Sequence, residues 1–391
     1  MNDQAKIPIG KASLHETGPG TLMGRLLRRF WHPVALSTDV AAGKAMPLRV
    51  MCEDLTLYRG EDGEARLVGG RCAHRCSVLH TGIVRGGDIS CMYHGWRFNG
   101  DGLCVDIPAE KNKRANPPRI AGYPLREYCG LIFAYMGDAP APPFDLPRKD
   151  AMEDPTRHVI PKREVWDCNW FQQVENSMDA VHLSFAHMWG VAGQFGTMVS
   201  GGGELPELSY EETDSGARQT ARRSNGNLRV SDWTFPNNNH ILAPGPTKTS
   251  PWGHVSVWAT PADDTRTMRY RLFSIGGATP EEIDKARRDQ DYDPGEHFDE
   301  LFRGDLQGIP DQGLVSAQDY VAVRGQGVIV DRDQENLSTS DAGIIFLRKL
   351  FYRELAALRD GEPVKSWARL REKIDLKEPP PLAEPKAKTN A

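Results

Sequence analysis

The sequence predicts a protein of two or three domains in which β-strands and helices both occur. Its 391 residues exceed the about 150 residues of a common single domain. Residues 47–137 have the texture of short strands, whereas the chain beyond residue 151 mixes helical and strand-like patterns. The proline-rich stretch 139–147 lies between these two regions and has the composition of a linker.

Composition and charge exclude several classes of protein. Hydrophobic residues make up 39% and charged residues 26% of the chain, as in ordinary globular proteins. The net charge of −5 contains no long block of one sign, which argues against nucleic-acid binding. No stretch approaches the ~18 consecutive apolar residues of a membrane span, and the N-terminus lacks a secretory-signal pattern. We therefore expect a cytoplasmic protein that binds neither nucleic acid nor membranes.

Local patterns predict the individual elements in chain order. In the first half they predict a helix near 22–30 after a Gly-Pro-Gly breaker, a hairpin of 55–59 and 64–68 around an Asp-Gly turn, and a buried strand at 130–136. In the second half they predict a helix over 170–187, strands near 227–235, 254–260 and 266–275, and a helix that Thr279 caps. A helical stripe at 344–358 begins after Ser340 or Asp341 and ends at Gly361.

Seven cysteines are an odd number, and in a reducing compartment they indicate metal ligands or free thiols rather than disulfides. Four residues form the pattern C-x-H-x16-C-x2-H, namely Cys72, His74, Cys91 and His94. Its chance probability is roughly 10⁻⁴ from the residue frequencies. Two thiolates and two imidazoles suit the Rieske type of [2Fe–2S] cluster, with a structural zinc site as the alternative.

A second pattern, D-x2-H-x4-H, consists of Asp179, His182 and His187. Asp179 and His182 lie three residues apart, on one face of a helix. His187 is five residues further on, so the helix must bend or end before both imidazoles can reach one metal. Two histidines and one carboxylate form the facial triad of mononuclear iron(II) oxygenases.

With these motifs the chain resembles a known family. The segments CAHRCSVLHTG and CMYHGWRFNGDGLC resemble the Rieske domain of bacterial ring-hydroxylating oxygenases, although Cys76 stands where relatives commonly have glycine. The opening TGPGTLMGRLLRRFWHPVAL, the segment YPLREYCGLIFAYMGD and the C-terminal DRDQENLSTSDAGIIFLRKL resemble the phthalate 4,5-dioxygenase and aryl O-demethylase branch. The resemblance covers about residues 15–365 and is weakest over 190–310.

The resemblance implies an α+β fold. A small all-β Rieske [2Fe–2S] domain precedes a larger helix-grip (START-like) catalytic domain with a curved antiparallel sheet around a helix. The implied domains are an N-terminal segment (1–45), the Rieske domain (46–138), a proline-rich linker (139–150), the mononuclear iron domain (151–375) and a disordered tail (376–391).

The resemblance also implies roles for the motif residues. Cys72, His74, Cys91 and His94 would bind the cluster, and His182 and His187 the iron. Asp179 would join the iron site to the cluster of a neighbouring subunit, with Asn176 near the open side of the iron. The third iron ligand would be an aspartate ahead of a Gln-Gly step; this selects Asp319 from the candidates Asp305, Asp311, Asp319, Asp331 and Asp333.

The implied activity is that of the oxygenase component of a multi-component enzyme. It would use O2 and electrons from an NAD(P)H-dependent flavin and iron–sulfur reductase to hydroxylate, dihydroxylate or O-/N-demethylate an aromatic, carboxylated substrate. Homotrimers or stacked trimers are implied. Two alternatives remain: an electron-transfer or redox-sensing Rieske protein with no active iron site, and a zinc-stabilised binding module.

Substrate contacts are left open by the sequence. An aromatic pocket could be lined by Met188, Trp189, Trp233, Phe235, Ile241, Val257 and Trp258, although ordinary core packing is the commoner role for any one of them. A substrate carboxylate could be held by Arg229, Asn237, Asn238, Asn239 or Arg269, and the sequence does not choose among them.

Overall fold

The computed structural model describes residues 8–112, 114–146, 149–187, 204–224, 226, 228–247, 249–305, 307, 309 and 311–367. The strands are β1 (Trp31–Leu36), β2 (Lys44–Val50), β3 (Glu53–Arg59), β4 (Ala65–Gly69), β5 (Ile83–Arg85), β6 (Asp88–Ser90), β7 (Arg97–Phe98), β8 (Cys104–Asp106), β9 (Gly122–Tyr123), β10 (Leu125–Tyr128), β11 (Leu131–Tyr135), β12 (Arg157–Trp166), β13 (Glu207–Glu212), β14 (Gly216–Arg222), β15 (Leu228–Thr234), β16 (Asn238–Ala243), β17 (Gly253–Asp263) and β18 (Arg266–Gly276). The α-helices are α1 (Leu22–Leu27), α2 (Asp150–Glu153), α3 (Trp170–Ser177), α4 (His182–Phe185), α5 (Pro280–Gln290), α6 (Phe298–Phe302), α7 (Asp311–Gly325) and α8 (Ala342–Asp360).

Three small antiparallel sheets make up the N-terminal part. Their strand orders are β1-β11-β10, β2-β3-β4-β9 and β5-β6-β7-β8. The two four-stranded sheets enclose a separate apolar cluster that includes Tyr58, Leu79, Ile89 and Phe98, together with the buried thiols of the C-x-H and C-x2-H loops. The C-x-H and C-x2-H loops therefore project from a small apolar core of their own.

A seven-stranded antiparallel sheet dominates the C-terminal part, in the order β12-β18-β17-β16-β15-β14-β13. Strand β12 alternates in burial along most of its length, as expected when one face of a sheet packs on a core. The C-terminal helix α8 packs on this sheet: the Phe351 ring lies 5.7 Å from Trp233 and 5.0 Å from Phe235. The α+β class and the sheet that holds a helix, implied by the resemblance, are confirmed.

Most of the elements predicted from local patterns are present. The hairpin pairs Arg59 with Ala65, and the capping box of α5 joins Thr279 and Glu282. Helix α8 ends at Gly361, whose φ of 78° lies in the left-handed region that glycine adopts without strain. The predicted helix over 170–187 is interrupted at residues 178–181, and α4 ends at Phe185, so the expected break before His187 is confirmed.

Other expectations have different outcomes. Trp233 and Phe235 pack against Phe351, and Trp258 packs against Phe133, so these three rings belong to the apolar core. Met188, Trp189 and the tail 376–391 lie outside the described residues. The domain boundaries stay predictions. In the part of the chain that the structure describes, no helix combines the length and apolarity needed to cross a bilayer.

Candidate metal centres

Two short loops present the first set of candidate ligands. Cys72 and His74 follow β4, and Cys91 and His94 lie between β6 and β7. The loops repeat one geometry, because each cysteine carbonyl accepts a hydrogen bond from the amide four residues on, from Cys76 (3.0 Å) and Gly95 (3.0 Å). Both residues have positive φ, 57° for Cys76 and 74° for Gly95, which explains why glycine is favoured at either position.

The four side chains are arranged as two pairs. Cys72 and Cys91 are buried, whereas His74 and His94 are exposed, with their ring centres 4.6 Å apart. Burial, together with the adjacent Cys91 thiol, raises the pKa of the Cys72 thiol to about 11. The thiols thus lie inside the lobe and the imidazoles at its surface.

An aromatic side chain orients one of these imidazoles. The His74 ring stacks on Trp96 at 4.6 Å with an interplanar angle of 7°. The Arg114 guanidinium also lies over the Trp96 ring, 5.4 Å from the ring centre. Arg114 and Trp96 are distant along the chain, so no local pattern pointed to this contact.

The second set of candidate ligands lies where α3, α4 and α7 meet. The Asn169 side chain caps α3 by accepting a hydrogen bond from the Phe171 amide. At the end of this helix, Asp179 Oδ1 accepts from the amides of Val181 (2.9 Å) and His182 (3.3 Å). This turn begins α4 and places His182 one short helix before His187.

Three side chains converge on one point. Asp319 Oδ1 lies 3.4 Å from His182 Nε2 and 3.4 Å from His187 Nε2. One ligand atom from each residue falls within 4.8 Å of the others, the only such group found among the described residues. Asn176 Nδ2 lies 3.3 Å from the same carboxylate oxygen, and Asp179 Oδ2 lies 3.8 Å from His182 Nδ1.

Comparison with known proteins identifies a domain family and several relatives of this chain. The model of the Rieske [2Fe-2S] domain matches residues 30–128. The chain is 32% identical to the 5,5'-dehydrodivanillate O-demethylase oxygenase subunit of Sphingobium sp. SYK-6 over 91% of this chain and 82% of that protein.

This chain belongs to the Rieske non-haem iron oxygenases. Two further relatives are the oxygenase subunit of a tert-butanol monooxygenase / tert-amyl alcohol desaturase from Aquincola tertiaricarbonis (32% identical, 93% of this chain, 80% of the relative) and the phenoxybenzoate dioxygenase alpha subunit of Ectopseudomonas oleovorans (33%, 89% and 85%). The solved structure of the Pseudomonas putida CBB5 NdmA QL mutant with caffeine shares the fold, with a TM-score of 0.65 and 21% identity over 86% of this chain and 92% of that chain.

This Rieske oxygenase is the oxygenase component of a multi-component enzyme in the O-demethylase and phthalate dioxygenase branch. It is an enzyme with a [2Fe–2S] cluster and a mononuclear non-haem iron, and it works with O2 and a reductase. The reading as an electron carrier without an iron site is thereby set aside.

The donor atoms of the oxygenase fit a [2Fe–2S] cluster at the first set of residues and a mononuclear iron at the second. A tetrahedral zinc would hold its four ligand atoms within about 4 Å of one another. Among the described residues, no three of Cys72, His74, Cys91 and His94 bring their ligand atoms within even 4.8 Å of one another, whereas His182, His187 and Asp319 do. Two separate pairs of donors suit a cluster with two irons, and two imidazoles with one carboxylate suit a single iron with open positions.

The charge state of the second set suits a cation. Burial would raise the pKa of Asp319, but the two neighbouring imidazoles hold it well below its usual range. Burial would lower the pKa of His182, but the hydrogen bond and charge of Asp319 raise it. The anionic carboxylate thus attracts positive charge to the point where the three side chains meet.

The remaining acidic candidates have other partners. Asp333 pairs with Lys11, Asp331 accepts from Gln334, and Asp305 accepts from the Gln307 amide. The side chain of Asp311 lies outside the described residues. Sequence reasoning missed Gln318, whose Oε1 accepts a hydrogen bond from His187 Nδ1 at 2.9 Å. Its position beside Asp319 was the signal that could have found it.

Proposed function

We propose that Cys72, His74, Cys91 and His94 hold the cluster of this oxygenase. The support is the repeated loop geometry, with both thiols buried and both imidazoles at the surface. In Rieske centres two cysteines bind one iron and two histidines the other, which raises the reduction potential above that of all-thiolate clusters.

We propose that His182, His187 and Asp319 bind the catalytic iron, and the single observation that carries this is their convergence within 4.8 Å. Bound iron supplies the activation of O2, and the cluster supplies electrons for it. The protein side chains hold the geometry: Gln318 fixes the His187 ring, so that Nδ1 carries the proton and Nε2 points at Asp319. Asn176 lies against Asp319 and is a positioning residue of the same site.

Asp179 is proposed to link two subunits. Its Oδ2 faces His182 Nδ1, a buried atom without a hydrogen-bond partner among the described residues. The Asp179 carboxylate is only partly buried, and His94 is exposed. In a homotrimer, or in stacked trimers, this carboxylate would contact His94 of the partner subunit and so join one subunit's iron site to the next subunit's cluster.

The proposed substrate is an aromatic carboxylate or an aryl methyl ether that carries a carboxylate. The names of two relatives, an O-demethylase of 5,5'-dehydrodivanillate and a dioxygenase of phenoxybenzoate, support this class. The outcome would be ring hydroxylation or dihydroxylation, or O- or N-demethylation, with electrons from an NAD(P)H-dependent flavin and iron–sulfur reductase. We place the protein in the cytoplasm, where such a reductase finds NAD(P)H.

Product analysis tests this function. The iron-loaded protein, a generic reductase and NADH are incubated with aromatic carboxylates, aryl methyl ethers and their uncharged esters. We expect O2-dependent products from anionic compounds and about three irons per subunit, two in the cluster and one in the catalytic site. A protein with two irons per subunit and a reducible cluster, but no product from any compound, would contradict the proposal.

A further inference from the structure

A buried carboxylate lies against α7, the helix that carries Asp319. It belongs to Glu164 of β12, which is 1% exposed. Its oxygens lie 2.7 Å from Lys162 Nζ and 2.7 Å from Arg269 Nη1. Burial would raise the pKa of Glu164, but the charges of Lys162, Arg269 and Arg271 hold it well below its usual range. Glu164 is therefore an anion, which accepts hydrogen bonds and donates none.

Ser316 of α7 donates to this carboxylate. Its Oγ lies 2.9 Å and 2.8 Å from the two Glu164 oxygens and accepts a hydrogen bond from Arg269 Nη1 at 3.2 Å. Two residues further along β12, the Trp166 ring packs against Tyr320 of α7 at 5.4 Å. Residues two apart share one face of a strand, and residues four apart share one face of a helix. The two contacts therefore fix one side of α7 to β12.

Asp319 lies between this side of the helix and a second anchor. An α-helix turns about 100° per residue, so Ser316 lies about 60° to one side of Asp319 around the helix axis, and Gln318 about 100° to the other. Gln318 Oε1 accepts a hydrogen bond from His187 Nδ1 at 2.9 Å. Buried hydrogen bonds on both sides of Asp319 thus oppose rotation of α7 in either direction.

A small rotation of α7 would displace the Asp319 carboxylate. Because Cα atoms lie about 2.3 Å from the helix axis, a rotation of about 15° moves each of them by about 0.6 Å, and it moves side-chain atoms further out by more. The distance between a metal and its ligand atom varies by only about 0.2 Å. The rotation of α7 must therefore be fixed closely for Asp319 to bind iron.

We propose that Ser316 is a positioning residue of the iron site, whose hydrogen bond to Glu164 sets the rotation of α7 and hence the position of the Asp319 carboxylate. Glu164 provides a fixed support, because Lys162 and Arg269 hold its side chain from other directions. This inference rests on the proposed function, since it assumes that Asp319 is an iron ligand. A hydroxyl that served only stability could be removed from the folded protein without changing its affinity for iron.

Iron binding by folded variants tests this inference. Ser316→Ala removes the hydroxyl, and we expect iron to bind about tenfold more weakly, measured as iron retained after dialysis against graded chelator. The electron paramagnetic resonance signal of the nitric oxide adduct of the site iron should broaden, because Asp319 then occupies a range of positions. Ser316→Cys keeps the size of the side chain and a weak donor, so it should lose less iron than Ser316→Ala.

The matched control is Ser274→Ala. The Ser274 hydroxyl is also buried, accepts from Arg157 Nε at 3.0 Å and donates to the Ala151 carbonyl. It lies on β18, where its register partners are Val159 and His254 rather than residues of the iron site. We expect Ser274→Ala to lose stability towards urea, as Ser316→Ala does, and to bind iron as tightly as the unaltered protein.

Unchanged iron affinity and an unchanged resonance signal in Ser316→Ala would overturn the inference, as would equal loss of iron from Ser316→Ala and Ser274→Ala. Circular dichroism and the resonance signal of the reduced cluster show whether each variant is folded. If Ser316→Ala does not fold, Ser316→Cys is compared with the control instead, and full iron retention by Ser316→Cys then overturns the inference.

Asp319→Ala separates this inference from the proposed function. Iron retained by Asp319→Ala would refute the proposed ligand set. Iron lost from Asp319→Ala but retained by Ser316→Ala would leave that ligand set intact and refute only the role of Ser316.

Discussion

At the scale of single residues, hydrogen bonds to the ligand side chains decide how well the iron site is formed. His187 is 1% exposed, and its Nδ1 is bound by Gln318, so its ring has one orientation and one tautomer. His182 lacks such a partner on Nδ1 within the described residues and faces Asp179 instead. The two imidazoles are thus held in different ways.

Removing the Gln318 amide should weaken iron binding without affecting the cluster. In Gln318→Leu the His187 Nδ1–H is buried without an acceptor, so we expect iron affinity to fall about 10- to 100-fold. The measurement is iron retained per subunit after dialysis against graded chelator. Gln318→Glu keeps an acceptor at the same position and should retain iron. Equal retention in both variants would show that this hydrogen bond does not support the site.

At the scale of elements, helix α3 is held in place by a buried ion-pair network behind the iron site. Glu175 accepts from Arg332 at 2.9 Å and also pairs with Arg348 of α8. Arg348 pairs in addition with Glu335. Because Glu175 directly precedes Asn176, this network ties the end of α3 to the C-terminal helix.

Neutralising Glu175 should destabilise the protein strongly. Glu175→Gln leaves the buried Arg332 without its ion pair, and breaking a buried pair from one side costs about 3–5 kcal/mol of the free energy of unfolding. Urea unfolding followed by circular dichroism measures this change. Arg287→Met breaks the exposed Arg287–Asp284 pair and should change the free energy of unfolding by less than about 1 kcal/mol. Similar losses in the two variants would contradict a structural role for the network.

At the scale of the whole molecule, the two metal sites lie in different parts of the chain. The loops of Cys72 and Cys91, proposed to hold the cluster, project from the small N-terminal sheets, and the proposed iron ligands lie among the helices near the large sheet. The exposed His74 and His94 are free to meet a second copy of the chain. This arrangement suits electron transfer between subunits.

Removing the Asp179 carboxylate should separate metal binding from turnover. Asp179→Asn keeps the Oδ1 acceptor for the Val181 and His182 amides but lacks the charge, so it is expected to keep both metals and a reducible cluster and to lose product formation. Metal analysis, cluster reduction by dithionite and product yield are measured on one preparation. Full product formation in this variant would refute the link.

Mixed oligomers test the subunit crossing directly. His94→Ala subunits lack a competent cluster and Asp319→Ala subunits lack iron, so neither forms product alone. Co-expressed in equal amounts, they should recover about a quarter of the activity, because that fraction of interfaces joins an intact cluster to an intact iron site. Inactive mixtures that contain both subunits would instead place electron transfer within one chain.

The sequence by itself determined the chemistry of both sites. Cys72, His74, Cys91 and His94, and likewise His182 and His187, are close in the chain, and short spacing limits how side chains can be arranged. The caps of α5 and α8 were predictable for the same reason, since a cap depends on a few neighbouring residues.

Only the tertiary structure decided which distant side chains meet these motifs. It brings Asp319 to two histidines more than 130 residues away. It also places Gln318 on His187 and Glu175 on Arg332. Asn237, Asn238 and Arg269, which were candidates for binding substrate, have partners within the protein instead. Such contacts depend on strand register and helix packing, which sum many weak interactions along the whole chain. A local sequence pattern therefore does not predict which distant residues come into contact.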